Sequence, residues 1–451
     1  MSAPDPPVSL KQSTLLSDKA SPLVFERKSI SSLQVISTRP LPMRIAVIGN
    51  HLPRQCGIAT FTTDLCDAIT AEYGAASVFV VAINDPQSCY TYPARVRFEI
   101  TESDISSYQA AADFLNSSHV DLVCLQHEYG IFGGKRGSHV LRLLQRLNMP
   151  VVTTLHTVLR EPDLRQLVVL QEIAACSDRL IVMSEHSSQF LQDVFGVPGE
   201  KIEQIPHGIP DMPFVESAPF KNAVSSKEKN VLLTFGLLSP NKGFENMIQA
   251  LPRILSRHKN VVYLIAGATH PHVKRREGDR YILQLQALAR KLGVEENVIF
   301  HNRFVSPEEM ASLVGSADIY VTPYRQEAQA VSGTLAYALG AGKAIISTPY
   351  WHAAELLADG RGALVPFEDS DALADTTNEL LDNDAARQAM RKCAYLYARR
   401  MVWDRVARSY MHAFVQACAH RKQPSSMAFP IQADKNTRSR LFQLGGGDAH
   451  Q

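Results

Sequence analysis

No pair of cysteines stands two residues apart anywhere in this chain. Its seven, at positions 56, 66, 89, 124, 176, 393 and 418, are odd in number. That spacing rules out both a disulfide framework and a structural zinc site read from C-x-x-C pairs, and it suits a reducing cytoplasm. Apolar runs are short: none reaches the roughly 18 residues that cross a bilayer, and the N-terminus lacks the apolar core of a secretion signal. Charge of either sign is missing in excess, since 46 basic and 45 acidic residues leave a net charge of +1. Bulk electrostatics therefore points to no nucleic acid and no strongly anionic surface, although peripheral membrane contact stays open. What is abundant is apolar residue, 45% of 451, enough for two domains with real cores.

Residues 1–42 mix Pro, Ser, Lys and Asp without periodicity and read as a disordered extension. The folded pattern starts at Met43. It alternates short β-branched runs with helical stretches over 43–210, pauses over a linker at 211–229, and restarts over 230–417 before a polar tail at 418–451. Two successive β/α halves imply an α/β protein with parallel sheets, and the last amphipathic helix is free to pack back on the first half. Continuous apolar strands such as Val120 to Gln126 are of the kind buried on both faces. That strand delivers His127 and Glu128 at its carboxyl end, and Val151 to Leu155 delivers His156 at another, where ligands of such sheets bind.

The second half carries the denser signal. Ile319 to Val321 is closed by Pro323, a loop follows from Arg325 to Ser332, and a helix opens at Ser332-Gly333-Thr334. First-turn amides have no partner and carry partial positive charge, so this helix start suits a phosphate. Lys242, in the turn GLLSPNKG just before another helix, adds a cation suited to a diphosphate. Arg303 and Arg325 are further candidates for positive charge. Glu327 would repel phosphate and is better placed to accept hydrogen bonds from hydroxyls attached to it, so the pattern as a whole describes a sugar nucleotide. His270 and His272 lie close together but lack a third ligand, and no Asp-x-Asp pair is suited to a metal-bound diphosphate. No metal and no cofactor are expected.

Four segments, LVCLQHEYG, GLLSPNKG, SADIYVTPYRQEA and GAGKAIIST, resemble those of family 4 glycosyltransferases over about residues 43 to 417, and EAQAVSGTLAYALGAGK is similar to a bacterial subgroup. The resemblance implies a GT-B fold, two Rossmann-like domains facing across a cleft, and a retaining transfer of a hexosyl group from a nucleoside-diphosphate sugar to an acceptor hydroxyl of a glycan, lipid or small molecule. It implies catalytic roles for Glu327 and His127. Diphosphate contacts would come from Lys242 and the Ser332 to Thr334 amides, and the acceptor side would be formed by Gly57, Glu128 and His156. The chain departs from the pattern at three places. The second glutamate, eight residues past the first, is absent: position 335 is Leu, and alignment from GAGK puts Tyr337 there. The arginine five residues before the lysine is Leu237, and the double glycine of the first loop is Cys56-Gly57. A non-catalytic binder of sugar nucleotide or glycan, and a sugar-nucleotide epimerase, are the alternatives that these departures leave standing.

Overall fold

The run Ile-Ala-Val-Ile-Gly at 45–49 has no polar side chain, and it forms a strand, β1 (Ile45–Gly49), buried along its whole length. The structure, a computed structural model, describes residues 44–74, 78–86, 89–224 and 229–421. Six more strands complete the first sheet: β2 (Val78–Asn84), β3 (Val96–Thr101), β4 (Leu122–His127), β5 (Val151–Leu155), β6 (Arg179–Val182) and β7 (Ile202–Gln204). Their order is β3-β2-β1-β4-β5-β6-β7, with every pair parallel. A second sheet is built from β8 (Asn230–Phe235), β9 (Val261–Ala266), β10 (Val298–His301), β11 (Ile319–Thr322), β12 (Ala344–Ser347) and β13 (Ala363–Leu364). It is also parallel, in the order β10-β9-β8-β11-β12-β13.

Both orders reverse once, between β1 and β4 in the first sheet and between β8 and β11 in the second. At such a reversal the connections leave in opposite directions and open a crevice beyond the carboxyl ends of the strands. The helix Gly57–Tyr73 follows β1 and the helix Gly333–Gly340 follows β11, so each crevice is bordered by a helix start. Helices cover both faces of each sheet, as buried parallel strands require. The architecture is the two-domain GT-B arrangement that the sequence resemblance implies.

The final helix, Trp403–Arg421, belongs to the first half by packing: Val406, Tyr410, Met411 and Phe414 share a cluster with Ile45, Val47, Phe61 and Leu65. Its Tyr410 hydroxyl lies 3.0 Å from Thr154 Oγ1 on β5, and Arg408 pairs with Glu72 at 2.8 Å. Residues 418–421, expected in the polar tail, continue this helix. The expected extension at 1–42 and the remainder of the tail, 422–451, lie outside the described residues. In the linker, Ala218–Val224 forms a short 3₁₀ segment, and Ser217 Oγ and Lys221 Nζ both reach Asp318, at 2.5 and 2.8 Å.

Three elements escape the sequence pattern. Strand β3, VRFEIT, puts charged side chains on an outer strand, where Arg97 and Glu99 are exposed. Charges blunt a sheet edge, and they also hide the apolar alternation. Residues Pro271–Glu277 form a short helix, and so do Trp351–Leu356.

Candidate active site

The helix start after β11 is built as local chemistry predicts. Ser332 is the N-cap of Gly333–Gly340, with its Oγ accepting from Leu335 N at 3.4 Å. The Gly333 and Thr334 amides sit in the first turn, where no intrahelical carbonyl reaches them. Ser332 itself is fixed from behind, because its own N–H donates to Nδ1 of buried His352 at 2.9 Å. The amides of Trp351 and His352 donate in turn to the carbonyls of Glu327 and Gln329, at 3.1 and 3.3 Å. The helix Trp351–Leu356 thus clamps the loop between β11 and Ser332 at three points.

Lys242 arrives from the turn after β8. Gly243 has φ 64°, and a Cβ there would lie 2.0 Å from the Pro323 carbonyl oxygen, so only glycine lets this turn lie against the end of β11. The result places Lys242 Nζ 3.7 Å from the centroid of the Tyr324 ring. A cation over a buried aromatic face is favourable, and the ammonium opposes the rise that burial would otherwise give the Tyr324 hydroxyl, whose pKa is lowered.

Facing this group across the crevice is the first half. A cavity of about 610 Å³ lies between them, lined by residues from the carboxyl ends of both sheets. Gly57, Thr60, Phe61 and Asp64 come from one face of the helix Gly57–Tyr73, at the i, i+3, i+4, i+7 positions that share a side. Phe61 is the hub of an aromatic group, with its ring edge-on to His156, His207 and Trp403 at 4.8, 5.1 and 5.2 Å. Gly333 approaches closely enough that a Cβ there would sit 2.7 Å from His207 Nε2.

The two histidines have definite tautomers. His207 Nδ1 lies 2.7 Å from the Gly208 carbonyl oxygen, which can only accept, so Nδ1 carries the hydrogen and Nε2 presents a lone pair. His156 Nε2 lies 2.9 Å from Gln126 Oε1, while the Gln126 amide nitrogen donates toward Cys124 Sγ and Thr154 Oγ1. His156 therefore donates from Nε2 and keeps a lone pair on Nδ1. Burial holds both rings neutral, with pKa values pushed down to about 3 for His156 and about 4 for His207. The carboxyl groups move the opposite way for the same reason. Burial raises Asp64 to about 6 against the lowering effect of the Tyr337 hydroxyl, which donates to it at 3.2 Å. Glu128 is raised as well, and accepts from Thr157 Oγ1 at 2.5 Å and from Tyr129 N at 2.9 Å.

Seven of the residues singled out in the sequence meet on this cavity: Lys242, Ser332, Gly333, Thr334, Gly57, Glu128 and His156. Four do not. Glu327 is exposed and does not line the cavity, and its carbonyl accepts from the Gln329 and Trp351 amides. His127 follows Gln126 on β4, and since successive strand side chains point to opposite faces, Gln126 goes under His156 while His127 goes into the packing behind the wall. There its ring stacks on Phe132 at 6.0 Å and meets Tyr129 edge-on at 5.1 Å. Arg303 pairs with Glu309 and Arg325 with Glu368, the latter at 2.6 Å, both away from the cavity. Tyr337, which the alignment from GAGK puts at the second-glutamate position, also lines the cavity, and Asp64, His207 and Trp403 do so without having been anticipated. Of these three, His207 had a readable signal, its place just after β7 beside Pro206 and Gly208. Among the described residues no group of three or more His, Cys, Asp or Glu is placed to hold a metal ion, and no helix is long and apolar enough to cross a membrane.

Two family profiles match the chain in tandem, one per half: Glycosyltransferase Family 4 over residues 56–211 and Glycosyl transferases group 1 over residues 216–397. Among curated relatives, a D-inositol 3-phosphate glycosyltransferase of Acidothermus cellulolyticus is 24% identical, over 62% of this chain and 64% of the relative. A phosphatidyl-myo-inositol mannosyltransferase of Mycolicibacterium smegmatis is 26% identical, over 60% of this chain and 66% of the relative. The chain thus spans just under two thirds of the length of these relatives. Among solved structures, sucrose-phosphate synthase from Thermosynechococcus elongatus superposes with a TM-score of 0.69 at 18% identity, covering 84% of this chain and 100% of that one. Anabaena HepE in complex with UDP gives 0.65 at 16% identity, covering 83% and 100%; these two likenesses speak for the fold. With both of the family's profiles present in order on the two halves that enclose the cavity, the chain belongs to glycosyltransferase family 4.

Proposed function

We propose that the protein transfers a hexosyl group from a nucleoside-diphosphate sugar to an acceptor hydroxyl, with retention of anomeric configuration and without a metal ion. The observation that carries this reading is the convergence of Lys242 and the first-turn amides of the helix Gly333–Gly340 on one end of the cavity. In such a transfer the bond from the anomeric carbon to the diphosphate oxygen breaks, the acceptor oxygen bonds to the same face of that carbon, and the acceptor proton passes to the departing phosphate. Negative charge grows on the leaving oxygen. Donors already fixed beside it, with Ser332 held by His352 and Lys242 held over Tyr324, stabilise that charge without having to reorganise. The curated relatives are inositol-directed glycosyl- and mannosyltransferases, and HepE has been seen with UDP and with UDP-glucose, which supports a nucleotide sugar as donor.

A non-catalytic binder of sugar nucleotides is favoured by one specific observation: Glu327 stands outside the cavity and Tyr337 holds a position where the family pattern has a carboxylate. Incubation of the purified chain with UDP-glucose or GDP-mannose and a panel of sugar acceptors separates the readings. Release of nucleoside diphosphate that depends on acceptor, with an α-linked product, supports transfer. Binding without release supports the binder, and interconversion of the sugar nucleotide with no release supports an epimerase.

A further inference from the structure

The cavity is polarised. On the second-half side stand groups that donate: the Lys242 ammonium and the amides at the start of the helix Gly333–Gly340. On the first-half side the charged side chains are carboxylates, and the donors are uncharged: the first-turn amides of the helix Gly57–Tyr73 and the Trp403 indole N–H. Asp64 accepts from Tyr337, Glu128 accepts from Thr157 and Tyr129, and His156 and His207 are neutral rings with lone pairs on Nδ1 and Nε2, the latter close against Gly333. No lysine or arginine of the first half lines the cavity among the described residues. Asp64 has one oxygen bonded to Tyr337 from the opposite half, which pins the carboxylate in place. Also in the lining are Phe61 and Trp403, whose rings meet edge-on at 5.2 Å.

A ligand beside Asp64 and Glu128 meets carboxylates and no side-chain cation, which favours hydroxyl donors and disfavours negative charge. A phosphate ester seated there would meet two carboxylates and no cation, and discrimination is gained as much from such repulsion as from attraction. We infer that the acceptor is an uncharged sugar or polyol, that Asp64 binds one of its hydroxyls, and that phosphorylated acceptors are rejected. This rests on the transferase reading above, and it sets the chain apart from the curated relative whose name specifies inositol 3-phosphate.

The test pairs each neutral acceptor with its phosphate ester: methyl α-D-mannopyranoside with mannose 6-phosphate, and myo-inositol with inositol 1-phosphate. Each is offered with UDP-glucose and with GDP-mannose, and nucleoside diphosphate release is followed. The expected result is a kcat/KM at least tenfold higher for the neutral member of a pair. In D64N the neutral acceptor's kcat/KM should fall at least tenfold and the preference within the pair should narrow, while the Kd for UDP or GDP by calorimetry stays within twofold. Equal or better transfer to the ester overturns the inference. So does a change in diphosphate affinity in D64N with acceptor kinetics intact. Binding of UDP or GDP without transfer to any acceptor, or failure to bind either, counts instead against the transferase reading.

Discussion

Lys343, the lysine of the GAGK segment, is 1% exposed and donates from Nζ to the Gly315 carbonyl at 2.7 Å. Burial, reinforced by the nearby Arg391 guanidinium, pushes its pKa down from 10.5 to about 7, against the opposing pull of Asp318 and Glu216. In the unfolded chain the same lysine stays protonated up to its ordinary value. Between about pH 7 and pH 10.5 the unfolded state therefore binds one more proton than the folded state, and stability rises with pH by about 1.4 kcal/mol per unit. Below pH 7 both states are protonated and the fold carries the full cost of a buried ammonium, about 5 kcal/mol. Lys343→Met removes that cost and leaves the Gly315 carbonyl without its donor, a loss of about 1 to 3 kcal/mol. The variant should be more stable than the parent by about 2 to 4 kcal/mol at pH 6, and nearly equal to it by pH 9, where only about 2 kcal/mol of the ammonium cost remains. Urea unfolding of both proteins at pH 6, 7.5 and 9, followed by circular dichroism, measures the difference directly, since every other titrating group is common to the two. A difference that stays constant across this range refutes the assignment of a displaced titration to Lys343.

Lys242→Ala should weaken UDP or GDP binding about 10- to 150-fold, the value of one charge-assisted contact of about 1.5 to 3 kcal/mol; calorimetry showing unchanged affinity takes Lys242 out of the diphosphate end. His352→Phe keeps an aromatic ring but leaves the buried Ser332 N–H without an acceptor, which should cost about 1 to 3 kcal/mol and reduce turnover through a displaced helix start. A melting temperature and a kcat equal to the parent's would show that the clamp contributes nothing. Because the donors at the diphosphate end are an ammonium and backbone amides, activity should survive EDTA; loss of turnover that Mg²⁺ or Mn²⁺ restores would contradict metal-free transfer.

Local rules decided a large part of this molecule. The apolar runs became β1, β4, β9 and β11, the alternation of runs and helices became two parallel sheets, Ser332 became an N-cap, and the turn before Gly243 delivered Lys242. Each of these depends on neighbours within a few residues, whose capping, backbone freedom and burial are fixed by residue type. The direction in which a side chain faces is different in kind. A single step along β4 separates Gln126, which supports His156, from His127, which is packed behind it, and a one-residue difference in register exchanges the two. The backbone carbonyl of exposed Glu327 was fixed by the amide of Trp351, and Tyr337 found Asp64 across 273 residues of sequence. The last helix chose the first sheet because Val406, Tyr410 and Phe414 complete a cluster that the first half leaves open. Such pairings are set when distant apolar surfaces meet and bury one another, a condition of the whole fold that no local window contains.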